Sequence, residues 1–261
     1  MILYGRNAVF EALRGRRAKA VSEVWATAGA AREEWLKQAR PKIVAAEEIE
    51  RRCGSSAHQG ICADAGGYPY VSGAELLAAS QPLIVALDQV QDPQNLGSIC
   101  RTAECVSAAG VVIPERRAAE VTPAVCKASA GAVEHLRIAR VRNMADFLAD
   151  ARQAGCWCYG ASGEEDDEEV RARAGAGADT RSARAARQIV AYDAPNYGGV
   201  GVVLVLGSEG SGLRPRVAKA CDELIALPLL GRIESLGVSA AAAAILYEIL
   251  QVRRAGLDNS P

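Results

Sequence analysis

Two apolar runs near the carboxyl-terminal end, each stopping in a glycine loop, constrain this chain more than any other feature. The first, Val202-Val203-Leu204-Val205-Leu206, opens into Gly207-Ser208-Glu209-Gly210-Ser211-Gly212-Leu213. The second, Leu224-Ile225-Ala226-Leu227-Pro228-Leu229-Leu230, opens into Gly231-Arg232-Ile233-Glu234-Ser235-Leu236-Gly237-Val238-Ser239. A short, uninterrupted apolar run ending in glycine reads as a fully buried strand that leaves the sheet as a loop. Glycine lets backbone amides approach a ligand with no Cβ in the way. Two such loops at the carboxyl ends of neighbouring strands define a pocket where open α/β sheets bind ligands. Taken alone, the first loop is equally well a glycine turn between strand and helix. It lacks the Gly-Lys-Ser/Thr ending of a phosphate-binding loop, and its G-x-x-G-x-G spacing is not the dinucleotide fingerprint.

The rest of the chain repeats the strand–helix alternation. Strands are expected at Leu83–Leu87, Val111–Ile113, His135–Val141 and Cys156–Ala161, with helices at Asn95–Ser107, Thr122–Ala132 and Asn143–Ala154. That order predicts a mostly parallel sheet covered on both faces. Ahead of it lies a smaller α/β module. It has helices at Gly5–Arg14, Ala31–Arg40 and Glu47–Arg52, and strands at Ser22–Thr27, Lys42–Ala45 and Gln59–Ala65. Gly66-Gly67-Tyr68-Pro69-Tyr70 reads as the break between them. The expected organisation is residues 1–66 as the small domain, 67–80 as linker and lead-in helix, and 81–261 as the main domain. Within the latter, 162–188 is a charged insertion: Glu164-Glu165-Asp166-Asp167-Glu168-Glu169 is followed by an Arg/Ala/Gly tract with almost nothing to bury. Its arginines, Arg171, Arg173, Arg181, Arg184 and Arg187, form either a solvated surface or an RNA-touching arm.

Charge and cysteine content narrow the function. The net charge is −1 over 261 residues, so a nucleic-acid partner has to be held by a local basic patch and not by a global field. The basic run Arg6, Arg14, Arg16, Arg17 and Lys19 is either a solvated helix face or such a phosphate-contacting patch. Eight cysteines without a C-x-x-C pair, and only two histidines, point to reduced buried thiols and no metal. The opening Met1-Ile2-Leu3-Tyr4-Gly5-Arg6 is too short for a secretory h-region, and the helix expected from Val238 to Leu250 carries Glu248 and falls short of a membrane span. The expectation is a cytoplasmic protein with no membrane partner.

A third segment upstream carries the chemistry. Asp88-Gln89-Val90-Gln91 leaves a buried strand, turns at Asp92-Pro93, and enters a helix bearing Asn95, Gly97 and Arg101. Singly, Asn95 is a helix cap and Arg101 a surface arginine paired with Glu104 one turn on. Together with the two glycine loops, and in this order, they mean something else.

The set resembles the SpoU/TrmH-type RNA 2′-O-ribose methyltransferases of the SPOUT superfamily, and most of all the bacterial 23S rRNA guanosine enzymes. The motif D-P-x-N-x-G-x-x-x-R-[ST]-A is met by Asp92-Pro93, Asn95, Gly97 and Arg101-Thr102-Ala103. G-[SA]-E-G-x-G is met by Gly207 to Gly212, and [IL]-P-x-x-G-x-x-x-S-L-N-V-S by Leu227-Pro228, Gly231, Ser235-Leu236 and Val238-Ser239. Lys127 to Leu136 is similar to the family's S-x-G-A-x-E element. The helix after Tyr4-Gly5 and the His58-Gln59-Gly60 turn resemble the family's small ribosomal-protein-like RNA-binding domain. The resemblance implies an α/β SPOUT-type sheet with a carboxyl-terminal trefoil knot, a homodimer, and S-adenosylmethionine as methyl donor. It implies that Gly207, Gly210, Leu227, Leu236 and Val238 bind the donor. Arg101 takes the catalytic place, oriented by Asn95 and Glu209, with Ser235 coming from the other subunit. Arg6, Arg14, His58 and Gln59 touch RNA. The implied substrate is a guanosine of 23S rRNA. The alternatives are tRNA, or an RNA-binding ribosome-assembly protein with weakened catalysis. Two positions depart from the pattern: Gly237 stands where the family has asparagine, and Ser107 where a glycine follows the first helix. A dinucleotide oxidoreductase is excluded, because no strand is followed by G-x-G-x-x-G with a downstream ribose-binding acid.

Overall fold

Uniformly apolar pentamers have no polar face to give to water, and here they become central strands. The computed structural model describes residues 1–163, 189–233 and 235–258, and the chain divides into two compact units. The second unit comprises Val71–Gln91, Val106–Ala118 and Ile138–Pro261. Its sheet has the order β7-β6-β5-β10-β8-β11-β9 and is parallel throughout. The strands are β5 (Leu83–Leu87), β6 (Gly110–Pro114), β7 (Ile138–Val141), β8 (Cys156–Ala161), β9 (Ile189–Ala191), β10 (Gly201–Leu206) and β11 (Glu223–Ala226). Every residue of β5, β6 and β10 is buried, as expected of parallel strands covered on both faces. Between β7 and β8 runs α7 (Met144–Gln153). Asn143 caps it by accepting from the Ala145 amide at 3.0 Å, and it buries Met144, Phe147, Leu148 and Ala151 at helical spacing. A shorter helix, α4 (Gly73–Leu77), begins in a Ser72/Glu75 capping box.

A short helix, α8 (Pro215–Ala220), lies between β10 and β11, and after β11 the chain runs through the second glycine loop into α9 (Val238–Asp258), the long helix expected from the sequence. Val238, Ala242, Ile245, Leu246 and Ile249 form its buried stripe. Near its end Arg253 donates to three backbone carbonyls, those of Tyr197, Gln81 and Val200, at 3.3, 3.1 and 2.9 Å. The described helices include none long and apolar enough to cross a membrane. No group of three or more His, Cys, Asp or Glu side chains among the described residues is arranged to hold a metal.

The first unit comprises Met1–Tyr70, Asp92–Cys105 and Ala119–Arg137. Its sheet has the order β1-β4-β2-β3, with β1 (Ile2–Tyr4), β2 (Glu23–Ala26), β3 (Lys42–Ile43) and β4 (Ile61–Asp64). Around it lie α1 (Arg6–Ala12), α2 (Glu34–Lys37) and α3 (Ala46–Cys53), and the unit also holds α5 (Pro93–Cys105) and α6 (Pro123–Ala128). α3 carries acids in its first turn and Arg51 and Arg52 in its last, and it ends at Gly54 in the left-handed region.

Three expectations change here. The helix expected over Ala31–Arg40 is a short 3-10 turn (Ala30–Arg32) followed by the single turn α2, because Glu33 between them is extended (ψ 127°). The strand expected over Leu224–Leu230 stops at Ala226, just before Pro228, which has no N–H for a ladder. The basic run is not one uniform solvated face, since Arg17 is buried while Arg6, Arg14, Arg16 and Lys19 are exposed. Arg17 is buried against the buried Glu134, donating from Nε to Oε2 at 2.8 Å and from Nη2 to Oε1. Arg16 donates to the Leu136 and Pro69 carbonyls, Arg6 pairs with Glu33 at 2.8 Å, and Arg14 stacks over Phe10. The insertion expected at 162–188 falls, from residue 164, outside the described residues. The cysteines are free thiols. Burial pushes Cys62 up to about 11 and Cys126 up to about 12, so both are protonated at neutral pH.

Candidate active site

Gly207 follows the last residue of β10 and starts a loop that folds back onto it. The Ser208 and Gly212 backbones exchange hydrogen bonds of 3.1 and 3.0 Å, and the two hydroxyls of Ser208 and Ser211 meet at 2.6 Å. Gly210 and Gly212 take φ of 82° and 60°, which glycine adopts without strain. A Cβ on Gly207 would lie 2.1 Å from the Gly212 carbonyl carbon. This closure explains the glycine spacing: the loop needs two left-handed residues and one position with no side chain.

The loop is moored from outside. Asp88, fully buried just past β5, accepts from the Arg214 amide at 3.0 Å and from its guanidinium at 2.8 and 2.6 Å. Its own amide donates to the Leu206 carbonyl at 2.7 Å. The ends of β5 and β10 and the residue after the glycine loop are thereby fixed together. Sequence reasoning did not single out Asp88 or Arg214, although a carboxylate directly after five buried apolar residues is a signal that it has a partner.

Between this loop and the second one lies a cavity of about 610 Å³. Gly207, Glu209, Gly210, Leu227, Ser235, Leu236 and Val238 all line it, together with Gly237 and, from α9, Ala241 and Ile245. The cavity sits at the carboxyl ends of β8, β10 and β11, where neighbouring strands open into loops. Its lining combines aliphatic side chains with glycines and the polar Glu209 and Ser235, a chemistry suited to a purine nucleoside. Gly237 is not in the left-handed region, and a Cβ there would stand 3.8 Å from Glu209 Oε1, an ordinary contact.

Asn95 and Arg101 lie on α5, in the first unit, and their surroundings there are clear. The cap of α5 is Asp92, not Asn95: its carboxylate accepts from the Gln94 and Asn95 amides at 3.2 and 3.1 Å, and Pro93 follows at the first helical position. Gly97 is required by packing, since a Cβ would come within 2.4 Å of the Ala128 Cβ. Arg101 is exposed and makes no ion pair with Glu104 or any other described residue. Of the other first-unit candidates, Arg6 and Arg14 are exposed but engaged as described above. The His58 ring is buried and its Nδ1 accepts from the Gly60 amide at 2.9 Å, while Gln59 Oε1 accepts from the Arg6 amide at 2.9 Å. The His58-Gln59-Gly60 segment is thus a structural turn, with only Gln59 exposed.

These features define an α/β protein whose ligand cavity is built from glycine loops at the carboxyl edge of a parallel sheet. Comparison with known proteins gives the family. The model described as "SpoU rRNA Methylase family" matches residues 82–247, and the one described as "RNA 2'-O ribose methyltransferase substrate binding" matches residues 2–71. The chain is 33% identical to a putative TrmH family tRNA/rRNA methyltransferase of Bacillus subtilis, over 95% of this chain and 94% of that one. The fold is that of the SpoU methyltransferase AviRb of Streptomyces viridochromogenes (TM-score 0.74, 20% identity, 98% and 90% of the two chains). It is also that of an AdoMet-bound rRNA methyltransferase of Sinorhizobium meliloti (TM-score 0.71, 23% identity, 96% and 86%). The chain belongs to the SpoU methylase family of RNA methyltransferases.

Proposed function

We propose that this protein transfers a methyl group from S-adenosylmethionine to a ribose 2′-hydroxyl of RNA, and that its target is a guanosine of 23S rRNA. The observation that carries the reading is the cavity lined by both glycine loops. Its fit to the donor rests on the folded-back loop, in which Gly207 packs so closely on Gly212 that no side chain fits, and which lines the cavity with Gly207, Gly210 and Gly212. When bound, the donor supplies an electrophilic methyl group. Gly207, Gly210, Leu227, Leu236 and Val238 grip its nucleoside through amides and apolar contact, and Glu209 and Ser235 face the same cavity as polar groups. As an exposed guanidinium, Arg101 binds an RNA phosphate and stabilises charge developing on the ribose oxygen.

The reading includes a homodimer, a knotted carboxyl-terminal region, and a division of labour between residues 1–66 for RNA and 81–261 for catalysis, all in the cytoplasm. Supporting the dimer, Leu230, Ile233, Leu236 and Tyr247 are apolar yet exposed to between 47 and 99%. A second reading, an RNA-binding assembly protein with weak catalysis, is favoured by Gly237, which puts no polar side chain at a cavity-lining position. The test is a tritiated-methyl assay on 23S rRNA and on tRNA from cells lacking the gene, followed by mapping of ribose methylation. Label on a 23S guanosine is the expected result. Label on tRNA alone changes the substrate, and donor binding without transfer to either RNA supports the second reading.

A further inference from the structure

We propose that Arg116, Arg117, Arg140 and Arg142 form an RNA phosphate-binding surface on the second unit, an inference that rests on the RNA methyltransferase reading above. The register brings them together. β6 and β7 run parallel with Pro114 opposite Val141, and the Glu115 amide donates to the Val141 carbonyl at 2.9 Å. Arg116-Arg117 and Arg142 therefore leave the same sheet edge side by side. Arg140, half-buried, donates from Nη2 to the Glu115 carbonyl at 3.2 Å, which fixes the turn. Arg116, Arg117 and Arg142 are exposed, and none has an ion-pair partner among the described residues. Glu115 is the acid within this turn; the next acids are Glu120, three residues after Arg117, and Asp146, four residues after Arg142.

Basic residues also guard open sheet edges against mispairing. That role accounts poorly for this cluster. The outer edge of β7 is already engaged where the Val71 amide donates to the Ile138 carbonyl at 2.9 Å, and Arg116 and Arg117 lie beyond the strand. Arg117 has φ 57°, a conformation that costs a side-chain-bearing residue about 1 kcal/mol and gathers at functional turns.

Position gives the cluster its use. It lies on the carboxyl edge of the sheet, the edge that holds the donor cavity. In the order β7-β6-β5-β10, β6 and β7 stand two and three ladder spacings from the Gly207 strand, roughly 10 and 14 Å. A strand of RNA reaching the cavity along that edge passes over these guanidinium groups, whose planar forks suit phosphate oxygens. A protein of net charge −1 has no global field to attract RNA, so local clusters of this kind have to supply the attraction.

The test uses the full chain and two triple variants, Arg116→Ala/Arg117→Ala/Arg142→Ala and the corresponding Arg→Lys set. A fluorescein-labelled RNA hairpin and total rRNA from cells lacking the gene serve as probes across a salt series. Melting temperature and S-adenosylmethionine affinity are measured beside them. The alanine set should keep donor affinity and melting temperature. It should bind RNA about tenfold or more weakly at 0.1 M salt, with the slope of log affinity against log salt reduced by two to three units, roughly one per lost phosphate contact. The lysine set should recover most of the slope. Wild type and alanine set binding RNA equally well, with equal slopes, would overturn the patch while leaving the function reading intact. A wild type that binds neither RNA overturns both. Polyglutamate serves as a further probe: its binding lost in the alanine set with RNA binding unchanged would assign the surface to an acidic protein and overturn the proposal.

Discussion

Asp88 and Arg214 form a clamp in which a fully buried carboxylate takes both the backbone amide and the guanidinium of one arginine. The two partners are unequally placed: Asp88 is fully buried, and Arg214 keeps 44% of its side chain in solvent. Removing Arg214 leaves a buried charge without its counterion, whereas neutralising Asp88 leaves an arginine that can turn outward to water. Arg214→Ala should therefore cost about 3–5 kcal/mol and Asp88→Asn less, about 1.5–3 kcal/mol. Urea titrations of both variants check the order, and Asp88→Asn costing more than Arg214→Ala would refute the argument. Both should also weaken donor binding, since the residue after the glycine loop loses its anchor.

Gly207→Ala should abolish donor binding and Gly210→Ala should not. At position 207 the new methyl meets Gly212 backbone at 2.1 Å, so the loop has to open. At 210 the space is free, and the penalty is confined to a φ of 82°, about 1–2 kcal/mol. Thermal shift separates them: S-adenosylmethionine at a hundred times its wild-type Kd stabilises by about 2.7 kcal/mol, a gain that should vanish in Gly207→Ala only. Equal shifts in both variants would mean that the cavity is not the donor site.

Ser107→Gly should stabilise the protein. Ser107 follows α5 with φ 56°, which explains why the family places glycine there. Relief of about 1–2 kcal/mol in the folded state is offset by roughly 0.5–1 kcal/mol of extra chain entropy when unfolded. The net gain, between about 0 and about 1.5 kcal/mol, should raise the melting temperature by up to about 3–6 °C. A fall on calorimetry would show that the serine hydroxyl contributes something the geometry does not reveal.

Much of this was legible in the sequence, for a definite reason. β5 and β8 have the ends expected of them because buried parallel strands are apolar from end to end and stop at a turn signal. The same logic overran at β11: Leu229 and Leu230 are as apolar as the strand, but Leu230 is almost wholly exposed, and hydrophobicity alone does not say whether a residue is buried. β9 escaped notice because three residues after a long charged tract show no period. Charge was the least legible property. Arg17 looked like one more member of a basic run because its partner, Glu134, is 117 residues away. Asp88 hid for the same reason, 126 residues from Arg214.

Arg101→Ala should remove methyl transfer and leave everything else in place. The side chain is exposed and unpaired among the described residues, so stability should change by no more than about 0.5 kcal/mol. Donor affinity by calorimetry should equal wild type, and the tritiated-methyl rate should fall about 10²–10⁴-fold. A variant retaining more than about a tenth of the rate would rule Arg101 out of the chemistry.

Gly237→Asn should raise turnover. The family's asparagine can both donate and accept hydrogen bonds, and glycine offers no side chain for either. The backbone here accepts a side chain, since Gly237 is outside the left-handed region and a Cβ would be 3.8 Å from Glu209 Oε1. From that point an amide is within reach of the Glu209 carboxylate and would restrain it. Donor binding should change little, because the contacts proposed for it are backbone and apolar groups of Gly207, Leu227 and Leu236, which line the cavity. The chemical step depends on positioning, so it takes the benefit. One added hydrogen bond contributes roughly 1 kcal/mol, which is about fivefold in rate. Single-turnover transfer by wild type and variant on the methylated RNA, with donor affinity measured in parallel, decides the matter. If the variant is equal or slower, the glycine is an adapted feature of this active site, and the loop works by moving and not by holding Glu209 still.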